Sequence, residues 1–118
     1  MQYLLLIYDS EKEFGAMSKE KADSILSGYF RFTESIKASG KYVGSNRLQP
    51  VANATTVRVR NGKVATTDGP FAETREQLGG YYLIDARDLD EALKIAAQVP
   101  SAQTGCIEVR PVWAMNPG

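Results

Sequence analysis

A strand-length apolar run followed by a helix-period stretch occurs twice in this chain, and this recurrence constrains the fold more than any other feature. Tyr3 to Tyr8 is almost continuously apolar and aromatic, as expected of a strand covered on at least one face. After a mixed, charged segment from Asp9 to Met17, Ser18 offers a helix N-cap. Glu20 lies in the first turn, where the helix dipole favours a negative charge. Ala22, Ile25, Leu26, Tyr29, Phe32 or Thr33, and Ile36 then recur at three- and four-residue steps, which makes one apolar face to pack on a sheet, and Gly40 closes the helix. The second occurrence starts with a strand from Tyr81 to Ala86. Asp88-Leu89-Asp90-Glu91 forms a capping box ahead of Ala92, Leu93, Ile95, Ala96 and Val99, and that helix must end before Pro100.

The remaining segments complete both units. Lys41 to Gln49 reads as a strand in which Gly44 to Arg47 marks a bulge or loosened pairing. Thr55 to Arg60 and Lys63 to Thr67 flank Asn61-Gly62, a pair suited to the two positive φ angles of a type I′ turn, so they predict a hairpin. Cys106 to Trp113 alternates apolar with polar residues, and Pro111 places this last strand at an edge or a terminus. The order β, α, β, hairpin, loop, β, α, β predicts an α+β fold of ferredoxin-like plan, an antiparallel sheet with both helices on one face. The other face then lacks a cover, and Tyr3, Tyr82 and Trp113 are expected to be partly exposed on it. An apolar sheet face of that kind implies a homodimer paired through it.

The length, 118 residues, suits a single domain spanning 1–118 with its own core. Fourteen basic residues balance fourteen acidic ones, so nothing attracts a phosphate backbone or an anionic membrane; neither nucleic acid nor membrane is an expected partner. The apolar N-terminal run lacks a basic leader, ends at Asp9 and is too short to span a bilayer, which fits a cytoplasmic protein. With no histidine and one cysteine, the usual zinc, haem and iron–sulfur ligand sets and the His-dependent nucleophilic triads are missing from the chain; no metal or cofactor is implied. Cys106, set in an apolar alternation, reads as a buried, inert thiol.

The segment from Thr67 to Tyr82 carries more chemistry than a connection needs. It turns through Gly69-Pro70, presents charged and aromatic side chains, and enters the next strand through Gly79-Gly80. Asp68 fits a general acid/base or ligand anchor, and equally an ordinary turn former whose carboxylate accepts nearby backbone N–H groups. Phe71 fits the cap of a ligand pocket or a core plug. Arg47 and Arg75 fit a clamp on a carboxylate or phosphate, or solvated surface groups, with Glu73 and Glu76 as partners of Arg75. Tyr8, at the end of the first strand, borders a cleft between sheet and helices or simply packs. Gly79-Gly80 permits a bulge or a close backbone approach and is not a phosphate loop, since no glycine-rich run leads into a helix.

Asp68-Gly69-Pro70-Phe71-Ala72-Glu73-Thr74, with Gln77-Leu78-Gly79-Gly80-Tyr81-Tyr82-Leu83-Ile84, resembles the DGPF signature of the YCII-related domain family. Arg47-Leu48-Gln49-Pro50, Thr55-Thr56-Val57-Arg58 and Glu108-Val109-Arg110-Pro111 extend the resemblance over essentially the full chain. It implies a ferredoxin-like protomer pairing into a dimeric α/β barrel. Some members of that family are encoded beside extracytoplasmic-function sigma factors, and a His-Asp pair has been suggested as catalytic in relatives; the histidine half of that pair is missing here. Two functions are therefore expected to compete. One is capture of a small polar or anionic molecule near the Asp68-Gly69-Pro70-Phe71 loop, with carboxylate acid/base chemistry by Asp68. The other is a non-catalytic dimeric or regulatory module linked to a sigma-factor pathway.

Overall fold

The computed structural model describes residues 1–114. Four antiparallel strands form the main sheet in the order β2-β5-β1-β6, comprising β1 (Gln2–Asp9), β2 (Tyr42–Arg47), β5 (Gln77–Asp85) and β6 (Cys106–Pro111). Between β2 and β5 the strands β3 (Thr55–Arg60) and β4 (Lys63–Asp68) pair only with each other. Three α-helices, α1 (Glu11–Gly15), α2 (Lys19–Ala38) and α3 (Leu89–Ala96), complete the ferredoxin-like plan.

The local signals operate as physical devices. Ser18 Oγ accepts the Lys21 N–H at 3.2 Å to start α2, and beyond its C-terminal end Gly40 adopts φ +74°. Asp88 Oδ1 accepts the Glu91 N–H at 2.9 Å, and Glu91 reaches back to the Arg87 N–H, one residue earlier than in a standard capping box. Asn61 and Gly62 take φ 53° and 73°, as the hairpin turn requires. The charged segment after β1 holds an extra turn of helix, α1, because Ser10 Oγ accepts the Glu13 N–H at 3.1 Å.

The core lies between the sheet and the helices. Tyr3, Leu5 and Ile7 of β1 alternate inward with Tyr82 and Ile84 of β5, and they meet Phe32 and Ile36 of α2 and Ala92, Ile95 and Ala96 of α3. The Tyr82 ring packs edge-on against Phe32 with centroids 5.0 Å apart, and its hydroxyl bonds Thr33 Oγ1 at 2.7 Å.

This arrangement corrects the assignment of strand faces. Tyr3 and Tyr82, expected on the uncovered side, are 2% and 7% exposed beneath the helices. The uncovered face instead presents Leu4, Leu6, Tyr81 and Leu83, the residues alternating with the core set. Trp113 is 88% exposed and lies past the end of β6. Cys106 is also exposed rather than buried: it opens the edge strand β6, where Ile107 turns toward the core. Its thiol still titrates above the ordinary range through desolvation and the Glu76 carboxylate at 3.5 Å, which disfavours the reactive thiolate.

Candidate functional site

Gly79 and Gly80, near the start of β5, line a cavity between the sheet and the first half of α2. Gly79 forms the bulge that shifts the register between Ile7 and Tyr8, and a side chain on Gly80 would meet the Asn46 carbonyl oxygen at 2.8 Å. In the N-terminal half of α2, Ile25 is partly buried and Leu26 exposed, and both line the same space.

The result is a cavity of about 620 Å³, within the ordinary range for small-molecule sites. The sheet supplies Ile7 and Tyr82, and α2 supplies Ile25, Leu26 and Tyr29. Phe14 and Gly15 of α1 form a third side, and the segment from Ser45 to Leu48 with Pro50 forms the fourth. Most of these surfaces are apolar. Two hydrogen bonds hold α1 over the opening: the Glu11 N–H to Gln77 Oε1 at 2.9 Å, and the Val51 N–H to Glu11 Oε2 at 3.1 Å.

The polar groups divide into those already engaged and one that is not. Tyr29 donates its hydroxyl hydrogen to Ser101 Oγ at 2.6 Å, and burial raises its pKa, so it remains a neutral phenol. Tyr82 is likewise raised by burial. The Asp9 carboxylate accepts the Ser10 N–H at 3.1 Å and the Thr104 hydroxyl at 2.8 Å. Arg47 differs: its guanidinium makes no ion pair or hydrogen bond among the described residues, and it stands on the cavity wall.

Of the candidate site residues Tyr8, Arg47, Asp68, Phe71 and Arg75, Arg47 alone lines this cavity. Tyr8 is half-buried and alternates to the sheet face opposite Ile7. Asp68 ends β4 opposite Thr55, exposed, and its carboxylate accepts no hydrogen bond from its own turn. The turn is held by backbone and hydroxyl groups instead, with the Gly69 N–H on the Ala54 carbonyl at 2.7 Å and the Thr56 hydroxyl on the Gly69 carbonyl at 2.8 Å. Phe71 is 81% exposed, so it neither plugs the core nor caps the cavity, and Arg75 is exposed on the same loop. Sequence reasoning missed Phe14, assigned Ile25, Leu26 and Tyr29 only to packing, and placed Tyr82 on the uncovered sheet face. The available signal was the glycine pair, a gap in side-chain volume opposite a helix.

The sequence profile of the YCII-related domain matches residues 1–116. The chain belongs to the YCII-related domain family. An uncharacterised protein of Rhizobium meliloti is 40% identical over 120 aligned positions, covering 100% of this chain and 97% of that protein. Among solved structures, a 5-chloro-2-hydroxyhydroquinone dehydrochlorinase from Burkholderia phenoliruptrix, determined with 2,5-dihydroxybenzoquinone, superposes with a TM-score of 0.56 at 13% identity. The match covers 96% of this chain and 94% of that one. At that identity the likeness shows the fold alone: this YCII-related domain has the α+β protomer fold of the dimeric α/β barrels. None of its described helices is long and apolar enough to cross a membrane.

Proposed function

We propose that this YCII-related domain binds a small, largely apolar molecule bearing an acidic group, and that it works as a cytoplasmic homodimer paired through the open sheet face. A ring or short chain would lie against Ile25, Leu26, Tyr29 and Tyr82, with its acid facing Arg47. The observation that carries this reading is the exposed Arg47 guanidinium, unpaired among the described residues, on the lining of a largely apolar cavity whose carboxylates Asp9 and Glu11 are already hydrogen-bonded. An arginine without a protein partner beside apolar side chains is suited to a carboxylate, phenolate or enolate, which it can hold through two parallel hydrogen bonds. The dehydrochlorinase of the same fold, solved with a small quinone, supports a cyclic ligand of comparable size. Leu4, Leu6, Tyr81 and Leu83 support the dimer, since one helical layer covers only one side of the sheet. In the same reading, Asp68-Gly69-Pro70-Phe71 assigns the chain to the DGPF-bearing members of its family.

The test is a thermal-shift screen of aromatic and alicyclic acids, phenols and quinones, followed by calorimetry on any compound that stabilises. At a hundred times its dissociation constant such a compound adds about 2.7 kcal/mol of stability. Arg47→Gln should then weaken binding by about 1.5–3 kcal/mol while leaving the melting temperature of the free protein unchanged, because the guanidinium holds nothing in place. Asp68→Asn should leave affinity intact. Loss of binding in Asp68→Asn with none in Arg47→Gln would move the site to the loop and reject the cavity.

A further inference from the structure

The cavity has a second polar end. Tyr29 of α2 and Ser101 of a one-turn helix, Pro100–Ala102, both line it. Gly28 lets these two segments meet, since a Cβ there would stand 3.2 Å from Pro100 Cγ. The turn is fixed from its other side by the Gly105 N–H, which donates to the Ser101 carbonyl at 2.8 Å. Ser101 is 5% exposed, and its Oγ accepts the Tyr29 hydroxyl at 2.6 Å. Engaged as an acceptor, Ser101 still has a hydrogen to give. That hydrogen meets no acceptor among the described residues, so a buried, oriented donor on the cavity lining is left for whatever occupies the space.

We propose that Ser101, held by Tyr29, donates to an uncharged oxygen of the ligand, which makes the ligand class a hydroxy- or oxo-substituted monoacid. The inference deepens the cavity reading above and rests on it, with Arg47 holding the acid. Charge decides which group goes where. Asp9 lines the cavity and is bonded by Thr104, the neighbour of the Gly105 that fixes Ser101, so a second acid is disfavoured at this end. Among the described residues Arg47 is the one basic group on the lining, and it ends β2, whereas the Pro100–Ala102 turn packs on β1 and β6. In the sheet order β2 and β1 are two strand spacings apart, roughly 10 Å. That span suits an acid and a hydroxyl or carbonyl oxygen on opposite sides of one ring. The Tyr29 and Tyr82 rings are parallel within 1°, so a flat ring stacked on one lies parallel to the other.

Calorimetric titration of the full chain with benzoate, meta-hydroxybenzoate and para-hydroxybenzoate tests this in the wild type, Ser101→Ala and Arg47→Gln. The wild type should hold the better hydroxy acid about five- to tenfold more tightly than benzoate, as one added hydrogen bond allows. Ser101→Ala should erase that preference. Because the preference is a ratio measured on one variant, any loss of folded fraction cancels from it. Arg47→Gln should weaken all three acids alike. Neither hydroxy acid exceeding benzoate in the wild type, or a preference that survives Ser101→Ala, overturns the Ser101 contact alone. Benzoate binding indifferent to Arg47→Gln overturns the acid anchor on which the contact rests, and no binding of any acid at about 10 mM overturns both. Should Ser101→Ala fail to fold, Tyr29→Phe removes the hydrogen bond that orients Ser101 and keeps the ring. It should narrow the preference, and an unchanged ratio overturns the pair.

Discussion

At the scale of single residues, carboxylates of similar appearance in the sequence have different weight in the structure. Glu91 accepts from Lys41 Nζ at 2.8 Å and from the Arg87 backbone, and these bonds hold its pKa down at about 2, against an ordinary 4.5. A carboxyl depressed on folding binds fewer protons in the native state, so the stability it confers is complete above about pH 4.5 and is lost as the pH falls toward 2. Acid titration of unfolding should therefore show a shallower decline between these values in Glu91→Gln than in the wild type. Asp68 makes no such contacts. Although its place before Gly-Pro suggested a turn former, Asp68→Ala should change the unfolding free energy by less than about 0.5 kcal/mol in denaturant melts, as for an exposed side chain without partners. The identity of Asp68 was legible; its lack of hydrogen bonds was not, because the Thr56 hydroxyl from another strand already serves the turn.

At the scale of elements, the signals with short range were reliable. Asn61-Gly62 forms its turn with both φ angles positive, so Gly62→Val should destabilise the hairpin by about 1 kcal/mol or more, seen as a lowered unfolding midpoint. The Ser18 and Asp88 caps start their helices where the sequence placed them. Close approaches between segments were less visible. At Gly105, where the chain enters β6, a Cβ would collide with the Tyr8 carbonyl oxygen. Gly105→Ala should cost about 1–3 kcal/mol by forcing β6 away from β1, whereas Gly15→Ala, at a site with nothing within 4 Å of the added atom, should not. Parallel denaturant melts of the two variants make the comparison.

For the molecule as a whole, the proposed pairing through the open sheet face would link folding to concentration. If Leu4, Leu6, Tyr81 and Leu83 are buried in the native dimer, the melting temperature should rise with protein concentration and lose that dependence in Leu6→Asp. A melting temperature constant across a hundredfold dilution of the wild type would count against the dimer.

By itself the sequence determined the order of the strands and of the two longer helices, the hairpin, the helix caps and the neutrality of the chain, though not the short helix α1. These rest on contacts within a few residues of one another, where a turn needs its glycine and a helix end needs its acceptor. It did not determine which side of the strands becomes core. Leu4, Leu5, Leu6 and Ile7 are apolar on both faces, so period-two alternation offers two equivalent registers, and only the packing of Phe32 and Ile36 onto Leu5 and Ile7 breaks the tie. The cavity was decided at the same level. Its lining brings Gly79 and Gly80 together with Ile25 and Leu26, some fifty positions away in the chain, and a space of that kind forms only when tertiary structure sets one segment opposite another.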